Sequence, residues 1–234
     1  MSEQSQCENT MAAVALTDAH THLEHADDNV ASRRFVCAAG SADWTALENM
    51  REMDVAFYGI HPWFADEWNA DALARLEQIV ASHPRAGVGE IGLDRLRDRT
   101  ISSSQREAFE SQLALAARFH RPVALHGAKC WGEVVKACRP FAGAIPALLF
   151  HGFSRSDGLL PEIFAMNGFV SVNASILNDH AVNYREMARR LPRDRVLVES
   201  DGKEGADLAA IAAALGVEAA VLNANAERFV EALA

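Results

Sequence analysis

Short apolar runs rich in β-branched and aromatic residues alternate along the chain with longer stretches whose apolar positions recur at three and four residues. The runs predict eight strands, at 14–23, 34–40, 54–62, 85–94, 121–127, 144–153, 169–176 and 195–202. Between them, stretches such as 71–82 and 104–120 carry the one-sided stripe of a helix laid on a sheet. In the second, that stripe is Phe109, Leu113, Ala116 and Phe119. Ser104 and Glu107 have capping-box spacing and set the predicted start of this helix. No linker or low-complexity break interrupts the alternation, which predicts one domain over 1–234 with 1–12 as a flexible tail.

Strand and helix units in series suit either a closed parallel barrel or an open doubly wound sheet, and the polar residues choose between them. An open sheet gathers its ligand site at a crevice where strand order reverses, whereas a barrel draws on many strand ends. Six of the eight predicted strands end in His, Asp or Glu. The predicted fold class is therefore α/β, a (β/α)8 TIM barrel, and a length of 234 residues is near the usual size for one.

The first strand ends Asp18-Ala19-His20-Thr21-His22, three polar groups at spacing two that share one strand face. Such a pair of histidines can share an ion, although alone it can equally be a locally hydrogen-bonded pair. Gly59-Ile60-His61-Pro62 places a histidine where a proline ends the ladder. Gly89-Glu90-Ile91-Gly92-Leu93-Asp94 buries a carboxylate in an apolar run, where an ionised group is costly without a partner. The fifth and sixth strands repeat one arrangement, an apolar run closed by His126-Gly127 and by His151-Gly152. The eighth ends Glu199-Ser200-Asp201, with Asp201 placed at the mouth and Glu199 supporting from below. Four histidines and two carboxylates from five strands form a nitrogen and oxygen donor set, with enough groups for one or two divalent ions such as Zn, Mn or Mg. Trp63, Phe64, Trp131 and Phe153 follow strand ends and are candidates to wall a pocket. His25, His83, His120 and His180 fall in loops or helix ends and read as structural or solvated.

Taken in order, these segments, together with Gln112-Leu113-Ala114-Leu115-Ala116 and His151-Gly152-Phe153-Ser154, resemble the successive motifs of the TatD family of metal-dependent hydrolases, within the amidohydrolase superfamily. The resemblance covers nearly the whole chain. It implies one metal site of His20, His22, Glu90 and Asp201, and a second in which Glu90 bridges to an ion held also by His126 and His151. It further implies His61 facing the scissile group, Asp201 orienting a water and taking its proton, and Asp18 and Glu199 behind the ligands. Asp201, His61 and Glu90 are thus the expected catalytic groups. Some superfamily members bridge their ions through a modified lysine on the fourth strand; Glu90 stands there instead. Two loops depart from the family pattern, Gly127-Ala128-Lys129 and Gly202-Lys203. Lys129, Arg155, Lys203 and Trp63 are the candidate substrate contacts.

The formal net charge of -10 opposes broad attachment to duplex nucleic acid, but a small metal-containing site can still hold a phosphate. The expected activity is that of a deoxyribonuclease or phosphodiesterase preferring single-stranded DNA. Its rivals are a hydrolase of a small ester, amide or cyclic diester, and a barrel that holds metal without catalysis. Four cysteines without paired spacing read as reduced thiols. The polar start without an apolar run, and the lack of a membrane-length apolar stretch, predict a cytoplasmic protein with no membrane contact and no obligate protein partner.

Overall fold

A computed structural model describes residues 14–24, 31–154 and 156–233; the expected tail at 1–12, together with Cys7 and His25, lies outside them. Eight parallel strands lie in chain order in one sheet: β1 (Thr17–His22), β2 (Arg33–Cys37), β3 (Val55–Tyr58), β4 (Gly87–Asp94), β5 (Val123–Ala128), β6 (Leu148–Phe150), β7 (Gly168–Val172) and β8 (Val196–Val198). The sheet curls into a barrel whose seam, between β8 and β1, is held by Asp201 N–H donating to the His20 carbonyl at 3.0 Å and by Ser200 N–H donating to Asp18 Oδ1 at 2.9 Å. The TIM barrel expected from the polar strand ends is the fold observed.

His20, His22, Glu90 and His126 lie within β1, β4 and β5, whereas β3, β6 and β8 are shorter than the apolar runs predicted because there the chain leaves the ladder before the polar residue. His61, His151 and Asp201 all lie just past the last residues of β3, β6 and β8. Two strands carry an extra residue. The β1–β2 register slips between Asp18 and Thr21, and the β4–β5 register slips between Val88 and Ile91, around Glu90. In β1 this interrupts the expected one-faced alternation: Asp18 turns to the backbone of Ser200, while His20 and His22 remain in the mouth. The close approach of β4 to β5 needs glycine. A Cβ at Gly92 would lie 2.0 Å from the His126 carbonyl oxygen, and one at Gly89 would lie 2.8 Å from the Cβ of Ala124.

The helices are α1 (Trp44–Leu47), α2 (Ala70–Ser82), α3 (Ser103–Phe119), α4 (Trp131–Cys138), α5 (Leu160–Ala165), α6 (Val182–Arg189), α7 (Leu208–Leu215) and α8 (Ala219–Val230). In α3 the buried face includes Phe109, Leu113 and Ala116 as expected, with Phe119 half-buried. Its cap is Ser102 rather than Ser104. Ser102 Oγ accepts from Gln105 N–H at 3.1 Å, and Gln105 turns its own side-chain oxygen to the backbone N–H of Asp94 at 3.0 Å. Two overlapping Ser-x-x-Glu/Gln spacings exist here, and the link to β4 favours the earlier one.

Two apolar layers follow from strand alternation. Outward residues such as Val36, Val88, Leu125 and Val170 pack under the helices. Inward residues such as Phe35, Phe57, Leu149, Phe169 and Leu197 fill the barrel. The lower end is closed by α8, whose Phe229 ring lies 5.7 to 5.8 Å from those of Phe35, Phe57 and Phe169. Trp131 and Phe153 pack on each other in the outer core, 5.2 Å apart, so they do not wall a pocket. Cys37, Cys130 and Cys138 are buried free thiols. No single helix among the described residues is long and apolar enough to cross a membrane.

Candidate metal centre at the barrel mouth

Glu90 is the hub. It is 1% exposed, and five imidazoles surround its carboxylate. Oε2 faces the β1 pair, 3.3 Å from His20 Nε2 and 3.4 Å from His22 Nε2. Oε1 faces the β5 and β6 pair, 2.8 Å from His126 Nδ1 and 2.7 Å from His151 Nε2, with His61 Nε2 at 3.7 Å. Burial pushes the Glu90 pKa up, but His151, His20, His61 and the bond from His126 outweigh it and hold the group well below the usual carboxylate range. Ligand atoms of His20, His22 and Asp201 lie within 4.8 Å of one another, as do those of His20, Glu90 and His151, and of His61, Glu90 and His126.

The residues fit a cation. His20 Nε2 and His151 Nδ1 are buried without a hydrogen-bond partner, although Glu90 and Glu199 stand 3.3 and 3.5 Å away out of line. Unpaired buried polar atoms are rare in native interiors, and His20 Nε2, which faces the hub, points to a group that would satisfy it, whereas His151 Nδ1 faces Glu199 and Asp201 behind the hub. Soft ligands do not enter. Cys37 Sγ lies 3.4 Å from the other nitrogen of His20, and burial pushes its thiol pKa well up, so it remains a thiol.

Two histidines in the mouth are held in opposite tautomers. His22 donates from Nδ1 to the Cys37 carbonyl at 3.2 Å, which leaves the lone pair on Nε2 facing Glu90. His61 caps the turn that follows it: its Nδ1 accepts from Trp63 N–H at 3.1 Å. Burial pulls the His61 pKa down to about 3, so the ring is neutral, and its proton is on Nε2. His22 therefore presents a lone pair to the hub and His61 a donor.

The surrounding carboxylates have separate tasks. Glu199 is fully buried, accepts from Asn173 Nδ2 at 3.4 Å and from the Ser171 hydroxyl, and faces His151. Burial lifts the Asp18 pKa to about 6 even though it accepts from Ser200 N–H and His20 N–H. Asp201 is a quarter exposed. Burial pushes its pKa up, but His151, His20 and Lys203 outweigh that and keep it ionised.

A cavity of ≈ 560 Å³ opens above these groups, lined among others by His22, His61, Glu90 and Asp201, and on one rim by Trp63 and Phe64. Lys203 Nζ lies 3.2 Å from Asp201 Oδ2, so it is engaged by a site residue. Lys129 is exposed at the end of β5 and is not among the cavity-lining residues, and Arg155 lies outside the described residues. His83 bonds the Ile79 carbonyl, and His120 bonds that of Ala144, as structural histidines do.

A family model, TatD related DNase, matches residues 17–204. The chain belongs to this family. The TatD-type 3'-5' ssDNA/RNA exonuclease of Edwardsiella piscicida is 31% identical over 144 residues, 61% of this chain and 55% of that protein. An uncharacterized metal-dependent hydrolase of Bacillus subtilis, YabD, is 27% identical over 158 residues, 67% of this chain and 62% of its own. The chain thus spans little more than half the length of the first curated relatives it matches. The crystal structure of YJJV, a TatD homolog from Escherichia coli, superposes with a TM-score of 0.72 at 24% identity, covering 93% of this chain and 94% of that one. That likeness bears on the fold.

Three side chains important to the mouth of this TatD-family barrel went unassigned in the sequence. Asp94, at the end of β4, accepts from His126 Nε2 at 3.1 Å, Trp63 Nε1 at 2.7 Å and the backbone of Leu96 and Arg97. Gln112, buried on the apolar face of α3, bonds both the N–H and the carbonyl of Ile60 and so fixes the exit of β3 at His61. Gln105 anchors Asp94 by a single bond, its side-chain oxygen accepting from the Asp94 N–H. The available signal was a polar residue on an apolar helix face: Gln105, Gln112 and Ala116 share one stripe.

Proposed function

We infer that the mouth holds one or two divalent ions and hydrolyses phosphodiester bonds of single-stranded nucleic acid. The observation that carries this reading is the division of Glu90, one oxygen to His20 and His22 and the other to His126 and His151. Such a carboxylate suits a bridge between two positions. His20, His22 and Asp201 would complete one; His126 and His151 would complete the other. Zn, Mn and Mg all suit parts of a nitrogen and oxygen set. A bound divalent ion supplies an acidified water, its pKa lowered from about 15.7 toward about 7, and positive charge for a phosphoryl oxygen.

The chain's own groups do the rest. Asp201, ionised and open to the cavity, orients the attacking water and accepts its proton. His61 donates Nε2–H to an oxygen of the scissile group, and its fixed tautomer keeps it a donor rather than a ligand. Glu199 aims His151, and Asp94 aims His126, as carboxylates behind ligating imidazoles do. Asp18 ties β1 to β8 so that His20 and Asp201 stay together. Relatives named as single-strand exonucleases support a nucleic-acid substrate. The acidic lining by Glu24 and Glu67 favours a second reading, a small ester or diester that brings less negative charge.

The test is hydrolysis of a single-stranded oligonucleotide by metal-stripped protein, with and without Mg, Mn or Zn, alongside Asp201→Asn. Metal-restored cleavage, reduced roughly 10²- to 10⁴-fold in kcat by the variant, is expected. Metal bound at the site with a small diester cleaved and the oligonucleotide intact would transfer the assignment to the second reading.

A further inference from the structure

One rim of the cavity is aromatic and exposed beyond what packing requires. Trp63 is 51% exposed and Phe64 40%, although both follow directly on the buried His61-Pro62. The indole is not loose. Its Nε1–H is bonded to buried Asp94, its ring stands nearly perpendicular to that of His61 with centroids 4.9 Å apart, and the Arg97 guanidinium lies over one face, 5.6 Å from the centroid, so a further group would take the other face. Asp94 fixes Arg97 too, through the backbone N–H at 3.0 Å. A large ring held in one orientation and left half open is built to receive another flat group.

The surroundings narrow what that group is. Glu24 and Glu67 line the same cavity, so phosphate oxygens are poorly received on this side and recognition through charge is disfavoured. Single-stranded nucleic acid is held away from its phosphates by bases stacked on aromatic side chains and on arginine planes. His61 separates the indole from Glu90, so a base on Trp63 directs its phosphate toward the ligand cluster.

Resting on the nuclease reading above, we propose that Trp63, flanked by Phe64 and Arg97, is a stacking platform for the unpaired base of the terminal nucleotide. The enzyme then selects ends by the presence of a base rather than by its identity, because every base offers a π face. Paired ends are poor substrates, since a base in a duplex is not free to stack.

The experiment compares two single-stranded oligonucleotides, identical except that one ends in an abasic nucleotide, as substrates of the metal-loaded protein, of Trp63→Ala and of Trp63→Phe. The expected kcat/KM preference of wild type for the base-bearing end is roughly tenfold, carried mainly by KM. Trp63→Ala should bring that ratio to about one, whereas Trp63→Phe should retain most of it. The proposal is overturned if wild type shows no preference, if the preference survives in Trp63→Ala, or if Trp63→Phe loses as much as Trp63→Ala. In the last case the Nε1 bond to Asp94, and not stacking, is what matters. Cleavage of both oligonucleotides without preference defeats the platform alone. Cleavage of neither, by protein that hydrolyses a small diester, defeats the nuclease reading and the platform with it.

Discussion

At the lower end of the barrel Asp54 is buried between two arginines; at the upper end Glu90 is buried among five imidazoles, and no lysine or arginine among the described residues reaches it. The lower carboxylate is saturated, although Arg51 is 41% exposed at the rim of a small surface cavity. Asp54 accepts from Arg34 Nη2 at 2.6 Å and Nε at 3.0 Å, from Arg51 Nη2 at 2.7 Å, and from the backbone of Arg34 at 2.9 Å. Those guanidinium forks satisfy the carboxylate with permanent charge, and α8 seals the interior beside it with Phe229. The upper cluster has only titratable partners, and His20 Nε2 within it has no hydrogen-bond partner. The same barrel therefore uses buried charge for two purposes: fixed counterions hold strands together below, and exchangeable donors leave room for an ion above.

The largest expected effect that would test this contrast is at the lower end. Arg34→Met removes one fork and leaves Asp54 under-paired, which should cost about 3–5 kcal/mol of stability by urea unfolding, with kcat/KM of the folded fraction unchanged. A loss of activity beyond the unfolded fraction would show that the two ends are coupled. At the upper end, Asp94→Asn places an amide where Oδ2 accepts from His126 and Trp63, and should weaken metal affinity roughly 10- to 100-fold with little change in the urea midpoint. Unchanged affinity, measured by competition with a chelating dye, would remove Asp94 from the support of His126.

The smallest effect is with pH. Burial pushes the Asp54 pKa up, but hydrogen bonds from Arg51 and Arg34 outweigh it, so its folded-state pKa lies below 3.8. Its contribution is then complete above an unfolded value near ~3.9 and is lost as pH falls through the lower folded value. The urea midpoint of wild type should therefore fall more steeply below pH ~4 than that of Asp54→Asn. Equal slopes would place the acid sensitivity elsewhere.

Which features were legible from sequence follows the same division. His20, His22, His126, His151 and Asp201 stood out because a barrel must present its reactive groups at strand ends, where a polar residue interrupts an apolar run. Glu90 stood out because a carboxylate inside such a run needs a partner. Asp94 was visible but not interpretable: its bonds reach His126 and Trp63, which follow from two other strands, and the spacing within β4 does not show which neighbours it meets. The tautomers of His22 and His61 depend on single backbone groups, which spacing does not specify. The start of α3 was misplaced because serines at 102 and 104 offered equivalent local signals, and the choice is made by a long-range bond from Gln105.

The seam between β8 and β1 also sets a schedule. Asp18 and Ser200, which join across it, are 182 residues apart in the chain. At about 5–20 residues per second, the two halves of the centre leave the ribosome roughly ten to forty seconds apart. The histidines of β1 wait through that interval without Asp201. The mouth of the barrel is thus among the last parts that synthesis can complete, and a half-made chain carries the β1 histidines without their partners from β8.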